Sequence, residues 1–251
     1  MQITVLGATG LFGGHLVPEL RARGHVVVPA SRATGVNAYT GEGLHEAIAG
    51  SDVVVDCLNK ETLSKGASID FFATAAEHVA REVLEVPDVR LVCVSIVGAA
   101  DPATHRRIGY YAGKAVQERI YEEQIAPGRL LMFRSTQWFE LARSMTARMS
   151  LGPLGAVPHF RSQPLAAADA ARLLADTIDA GESGAVEVAG PDVLDLAQVA
   201  RIVHDASGAR GRVFTLPFSM GTDALLPGPH ARIGKRDLAA WIRENVQREE
   251  N

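Results

Sequence analysis

The sequence predicts an α/β protein built on a doubly wound parallel sheet, with a small C-terminal lobe covering it. Three observations carry this expectation. Short apolar runs rich in β-branched residues alternate with helix-patterned stretches through roughly the first 135 residues. The connections between them are short, and no repeat, low-complexity tract or long linker interrupts the series. The first such run leads directly into closely spaced glycines and then an amphipathic stretch. Strands that alternate with helices pair in parallel through right-handed crossovers.

In order, residues 3–6 form a buried strand, and a helical pattern opens at Leu11 and runs to Leu20. Gly24 closes that helix, and residues 25–30 (HVVVPA) form the second strand, with Pro29 at its end where it costs the sheet little. A short helix is expected at 41–50, a third strand at 52–58 (DVVVDCL), and a helix at 69–86 with Phe72, Ala76, Val79 and Val83 on one face. Pro87 stops this helix. A strand at 90–94 delivers Ser95, a helix follows at 108–123, Pro127-Gly128 breaks it, and a strand at 129–134 comes next. Beyond Gln137 the pattern changes. Helices are expected at 139–149, 167–180, 194–207 and 235–246, the last with Leu238, Trp241, Ile242 and Val246 on one side. A strand is expected at 185–188. Gly152, Pro153, Gly155 and Pro158 suggest an irregular stretch, and Pro217, Pro227 and Pro229 a wrapping loop over 210–234. The expected division is a nucleotide-binding core at 1–136 and a smaller lobe at 137–251 that forms the substrate pocket, packed or interleaved into one compact unit.

Composition narrows the functional classes. With 251 residues, 47% hydrophobic and 22% charged, the chain is an ordinary globular protein. Twenty-five basic residues against 29 acidic ones give a net charge of −4, which offers no electrostatic case for nucleic acid or an anionic membrane. Cys57 and Cys93 both fall in apolar runs and read as buried, reduced thiols. Neither a signal peptide nor a membrane span is evident, so a soluble cytoplasmic protein, monomeric or a small homo-oligomer, is expected. The eight histidines show no metal-ligand spacing, and no metal is expected.

The glycines point to a ligand. Gly7, Gly10 and Gly13 stand at three-residue spacing between strand and helix, the context in which such a pattern binds a dinucleotide in a Rossmann fold. Gly7 permits the tight turn, Gly10 admits a pyrophosphate to the backbone, and Gly13 lets helix pack on strand. Thr9, Leu11 and Phe12 complete the turn whose N–H groups meet the diphosphate at the helix N-terminus. At the end of the second strand, where an acidic residue would hold a ribose hydroxyl, the chain has Ser31 and Arg32. A guanidinium there can pair with a 2′-phosphate that a carboxylate would repel, which favours NADP(H), the alternative being a solvated surface arginine. Asn59 and Lys60 follow the third strand on the sheet edge where open α/β folds bind ligands, and Leu58 at its end and Asn59 are expected to meet the cofactor.

Ser95, Tyr110 and Lys114 form a candidate catalytic set. Tyr110 and Lys114 are four apart on one helix and so project from one face. An ammonium one turn away favours the phenolate and would draw the tyrosine toward neutrality. Such a pair passes a proton to a carbonyl oxygen that a serine hydroxyl steadies. A lysine in this position can also bond a nicotinamide ribose. A tyrosine and lysine at this spacing equally fit an ordinary helix surface, and Tyr111 is an alternative to Tyr110. The run from Arg119 to Glu123 reads as a solvated helix face, His15 as packing or exposed, and Trp138 as either pocket or core.

These motifs carry a resemblance. GATGLFGG at 7–14, VSIVG at 94–98, YYAGKAVQE at 110–118 and RSTQWFE at 134–140 resemble the short-chain dehydrogenase/reductase superfamily, most nearly its atypical NmrA-like branch. The C-terminal GPHARIGKRDLAAWI fits the same pattern. The resemblance implies that Ser95, three residues before Gly98, is the superfamily's serine, and that Tyr110 and Lys114 are its tyrosine and lysine. It also implies that Ser135, Thr136 and Gln137 contact nicotinamide and substrate. Asn37 stands where an acidic residue often receives the adenine. The expected function is NADPH-dependent reduction of a small carbonyl or quinone-like substrate. The alternatives are a non-enzymatic NADP(H) sensor and, less favoured because the C-terminal lobe is short, nucleotide-sugar epimerase or dehydratase chemistry.

Overall fold

The computed structural model describes residues 1–141, 150–151, 154–208, 211–219 and 223–245. Its central element is a seven-stranded sheet. Along the chain the first elements are β1 (Gln2–Leu6), α1 (Leu11–Ala22), β2 (Val26–Ala30), α2 (Leu44–Ile48), β3 (Val53–Asp56), α3 (Lys65–Glu85) and β4 (Arg90–Ile96). Then come α4 (Pro102–Arg107), α5 (Gly109–Gln124), β5 (Leu130–Ser135), β6 (Ser150–Leu151), β7 (Leu154–His159), β8 (Arg161–Ser162) and α6 (Ala167–Asp179). The last are β9 (Gly184–Ala189), β10 (Leu194–Asp195), α7 (Leu196–Ala206), β11 (Arg212–Ser219), β12 (Arg232–Ile233) and α8 (Leu238–Asn245). The sheet order is β12-β9-β5-β4-β3-β1-β2, and the pairings β1–β2, β1–β3, β3–β4 and β9–β12 are parallel. This is the doubly wound arrangement expected from the alternation of runs.

The chain divides into two compact units. The first is Met1–Arg134 with Ala171–Val186, and the second is Ser135–Ala170 with Glu187–Asn251. In the first unit β1 and β3 carry continuous apolar runs because both of their faces are covered, and Ile3, Val53, Val54 and Val55 are fully buried. Leu91, Cys93 and Met132 from the sheet meet Ala76, Val79 and Val83 of α3 and Tyr121 of α5 in one apolar cluster. α3 and α5 approach closely through glycine: a Cβ on Gly113 would lie 2.6 Å from the Phe72 ring and 2.9 Å from the Ser68 carbonyl oxygen. The later part of α6 belongs to this unit, held by Arg23 on Asp176 (2.7 Å) and Asp179 (2.9 Å).

In the second unit β11, β7 and β6 form a small sheet, β8 pairs with β10, and β12 pairs with the end of β9. This corrects the expected irregular stretch and wrapping loop. Leu154–His159 and Arg212–Ser219 are strands that pair in parallel over Leu154 to Pro158 and Arg212 to Leu216. The ladder tolerates Pro217 because the register shifts between Leu216 and Ser219, on an edge strand where a missing N–H costs little. Residues 142–149 of the expected 139–149 helix, and residue 246 of the last one, lie outside the described residues.

Two helix starts show local signals that periodicity overlooks. α3 begins at Lys65, ahead of its apolar stripe, because the Ser64 hydroxyl accepts from Ala67 N (3.2 Å). α4 was not expected at all; Asp101 caps it by accepting from Thr104 N (2.9 Å), and Pro102 supplies its first residue. That hydrogen bond holds the Asp101 carboxyl below its ordinary value of 3.8, against a smaller opposing effect of burial. A depressed carboxylate stabilises the fold above its unfolded pKa and loses that contribution as pH falls through the folded one. Asp101→Ala is therefore expected to cost about 1 kcal/mol in urea unfolding at pH 7. The difference from wild type should shrink when the same titration is run well below pH 3.8.

Candidate cofactor cleft and active site

The glycine turn is built from the backbone outward. Gly7 has φ +78°, a left-handed conformation, and its N–H donates to Ala30 O at 2.9 Å. A Cβ on Gly7 would lie 2.8 Å from the Cys57 carbonyl oxygen, so the crossing of the turn over β3 leaves no room for a side chain. Gly10 N donates back to Gly7 O (2.9 Å), and Gly14 N to Gly10 O (2.8 Å). Gly10 stands at the N-cap of α1 and brings no side chain to close it. Gly13 has a packing role, since a Cβ there would sit 2.7 Å from Ala8 Cα.

Beyond this turn a cavity of about 740 Å³ opens past the carboxyl ends of β1, β2 and β3. Of the residues expected to bind a cofactor, Gly7, Thr9, Gly10, Ser31, Arg32, Leu58 and Asn59 line it. Leu11, Phe12 and Gly13 do not; Leu11 is exposed, and Phe12 and Gly13 are buried in the packing of α1. Ser31 is only 8% exposed and forms a capping box with Thr34, yet its hydroxyl donates to no described residue. Arg32 is exposed and makes no hydrogen bond or ion pair to a described residue. The cavity also takes in Asn37, Tyr39, Lys60 and Phe71. Tyr39 and Phe71 were not singled out in the sequence, because isolated aromatics in a loop and at a helix surface carry no periodic signal. Lys60 was visible only as a residue following the third strand.

Ser95, the residue before the last of β4, is 5% exposed, and its hydroxyl has no partner among the described residues. Tyr110 is half-buried in the first turn of α5 and packs edge-on against Phe72, with centroids 5.8 Å apart. Lys114 lies 3% exposed with its ammonium 4.5 Å from the centroid of the same Phe72 ring, so Tyr110 and Lys114 share a side. Tyr111 is the more buried of the two neighbouring tyrosines. The three N–H bonds of Lys114 all have acceptors: Val94 O at 2.9 Å, Gln117 Oε1 at 2.9 Å and Leu58 O at 3.3 Å. Through Leu58, this lysine reaches the wall of the cavity.

Behind it stands a buried network that the sequence did not disclose. Gln117 Nε2 donates to Asp56 Oδ2 (2.7 Å), Tyr121 Oη donates to the same oxygen (2.5 Å), and Leu58 N donates to Asp56 Oδ1 (2.8 Å). Burial, then the Asp56 charge, pushes the Tyr121 phenol well up. Burial also raises the Tyr110 phenol, outweighing the downward pull of Lys114. The expected phenolate near neutrality is thus replaced by a protonated phenol, because desolvation of the anion exceeds the attraction of a cation already committed elsewhere. Burial likewise raises both thiols, of which Cys57 lines the cavity.

Ser135 and Thr136 belong to the second unit, where their hydroxyls serve its own backbone. Thr136 Oγ1 donates to Gln163 O (2.6 Å), and Ser135 Oγ donates to Thr136 O (2.8 Å) while accepting from Trp138 Nε1 (2.9 Å). Gln137 Oε1 accepts from the Ser162 hydroxyl. Among the described residues no group of three or more His, Cys, Asp or Glu side chains is placed to hold a metal. No described helix is long and apolar enough to cross a membrane.

No protein-family model matches the chain, and no curated protein matches it in sequence. Its fold has many relatives among solved structures. MoeE5 in complex with UDP-glucuronic acid and NAD superposes with a TM-score of 0.79 at 14% identity, covering 100% of both chains. UDP-N-acetylglucosamine 4-epimerase from Bacillus cereus gives 0.73 at 16% identity, again over 100% of both. The dTDP-4-dehydrorhamnose reductase from Bacillus anthracis in complex with NADP gives 0.71 at 15% identity, covering 100% of this chain and 99% of the other. At these identities the likeness is one of fold, and it agrees with the Rossmann arrangement described above.

Proposed function

We propose that this chain is an NADP(H)-dependent oxidoreductase of the atypical short-chain dehydrogenase/reductase type, in the NmrA-like branch, acting in the cytoplasm on a small carbonyl or quinone-like substrate. One observation carries the proposal: a single cavity is lined both by the glycine turn and by Ser31 and Arg32, whose hydroxyl donates to no described residue and whose guanidinium pairs with none. The residues present fit a dinucleotide. A Cβ at Gly7 would meet backbone, so the turn keeps the bare amides that a diphosphate needs. Arg32 would hold the 2′-phosphate. The fold neighbours crystallised with NADP or NAD support a nicotinamide dinucleotide.

Bound there, such a cofactor supplies a hydride. Tyr110, kept protonated by burial, donates its phenolic proton to the substrate oxygen. The Ser95 hydroxyl, which has no partner among the described residues, donates a hydrogen bond to the same oxygen. Lys114 holds the carbonyls of Val94 and Leu58, and its charge eases the loss of the Tyr110 proton.

The test is NADPH oxidation across a panel of carbonyls, quinones and 4-keto nucleotide sugars. Tyr110→Phe is expected to lower turnover about a hundredfold or more, with NADPH affinity and unfolding midpoint unchanged. Full turnover in that variant would remove Tyr110 from the chemistry. A second reading, a non-catalytic NADP(H) sensor, is favoured by one feature: every Lys114 proton is already bonded internally. Tight NADPH binding without oxidation of any substrate in the panel would select it.

A further inference from the structure

Lys60 is the one cation in the cavity whose position is fixed by aromatic rings. Its ammonium lies 5.4 Å from the centroid of Phe71 and 5.8 Å from that of Tyr39. The two rings are nearly parallel, 11° apart, with centroids separated by 5.9 Å. Tyr39 is itself pinned, its hydroxyl donating to Asp70 at 2.8 Å, and Phe71 rests edge-on against Phe72. Lys60 makes no hydrogen bond or ion pair to a described residue, so its charge is held in place without being neutralised. The same cavity is lined by Arg32, which makes no hydrogen bond or ion pair to a described residue, and by Ser31, whose buried hydroxyl donates to none. Glu61 is the one carboxylate among the lining residues.

Three donors that line one cavity and have no oxygen acceptor among the described residues call for an oxyanion. A 2′-phosphate carries close to two negative charges, more than one guanidinium cancels. We infer that Lys60, seated on Tyr39 and Phe71, is the second cation of a 2′-phosphomonoester site shared with Arg32 and Ser31, and that it sets the preference for NADP(H) over NAD(H). This rests on the proposed dinucleotide function and adds its specificity determinant. The aromatic seat matters because a free lysine spends many rotamers in solvent. Ring faces hold the ammonium near its bound position before the phosphate arrives, which lowers the ordering cost of binding.

The test titrates the whole chain with NADPH, NADH, adenosine 2′,5′-bisphosphate and 5′-AMP, in wild type, Lys60→Met, Lys60→Arg and Phe71→Leu. Lys60→Met is expected to weaken NADPH and the bisphosphate about tenfold, with NADH and 5′-AMP changed less than about twofold and the unfolding midpoint unmoved. Lys60→Arg should recover most of the loss. Phe71→Leu should give a smaller loss confined to the 2′-phosphorylated probes. Equal losses for NADPH and NADH, or none, would overturn the role of Lys60 while leaving a reductase intact. Lys60-dependent binding of the bisphosphate without any NADPH oxidation would keep the site and remove the reductase. If neither dinucleotide binds wild type, both fall.

Discussion

Gly13→Val is expected to abolish detectable dinucleotide binding and to destabilise the chain by about 3 kcal/mol in urea unfolding. The cause is a collision that no rotamer relieves. The new Cβ would lie 2.7 Å from Ala8 Cα and 2.9 Å from its carbonyl carbon, and it would also press on the Gly7 carbonyl oxygen. All of these are backbone atoms of the turn, so either α1 lifts away from β1 or the turn deforms. Deformation disturbs the Gly10 N to Gly7 O hydrogen bond (2.9 Å) that shapes the loop over which a diphosphate would sit. The neighbouring position supplies the control. A Cβ on Gly14 meets nothing within 4 Å, so Gly14→Ala should keep NADPH affinity and gain about 0.5–1 kcal/mol from helix propensity. If Gly13→Val bound NADPH like wild type, the diphosphate would have to be placed elsewhere.

The contrast between those adjacent glycines marks how far the residues speak for themselves. Spacing alone distinguished Gly13 as a contact glycine, because strand, turn and helix follow in fixed register with no choice of partner. The parallel sheet was legible for the same reason: apolar runs such as VVVD at Val53–Asp56 are buried on both faces and leave no polar alternation. β7 and β11 were not legible, since their prolines argue against a strand and only their mutual pairing, with a register shift beside Pro217, accommodates them. The site divides in a similar way. Arg32 and the glycines follow from offset along the chain, whereas the seat of Lys60 joins Tyr39, Lys60 and Phe71 from three separate segments. The protonation of Tyr110 failed on the sequence for a third reason. One turn of helix indicates a nearby ammonium, but not that its hydrogens are committed to Val94, Leu58 and Gln117.

That commitment leads to the second large effect. Lys114→Met should destabilise the chain by about 3 kcal/mol, because it removes the donor to three oxygens and leaves them unsatisfied in or near the core. Asp56 is fully buried, and the Gln117 amide bridges it to Lys114, accepting from the ammonium with Oε1 and donating to the carboxylate with Nε2. Without the cation, the carboxylate keeps its hydrogen bonds from Tyr121 and Leu58 but loses the nearby positive charge, and one buried and one partly buried carbonyl lose a donor. Adding Asp56→Asn to Lys114→Met should restore part of the loss, with a coupling of about 1–3 kcal/mol in the double-mutant cycle. Strict additivity, or an unchanged urea midpoint for Lys114→Met, would show that the two charges do not depend on one another. The cycle also protects the kinetics from misinterpretation. A Lys114 variant that has lost its fold loses turnover whatever its chemistry, so kcat has to be compared per folded molecule, at a temperature where each variant is native. A deficit that survives that correction would support the proposed proton transfer from Tyr110, and one that vanishes would belong to the network around Asp56.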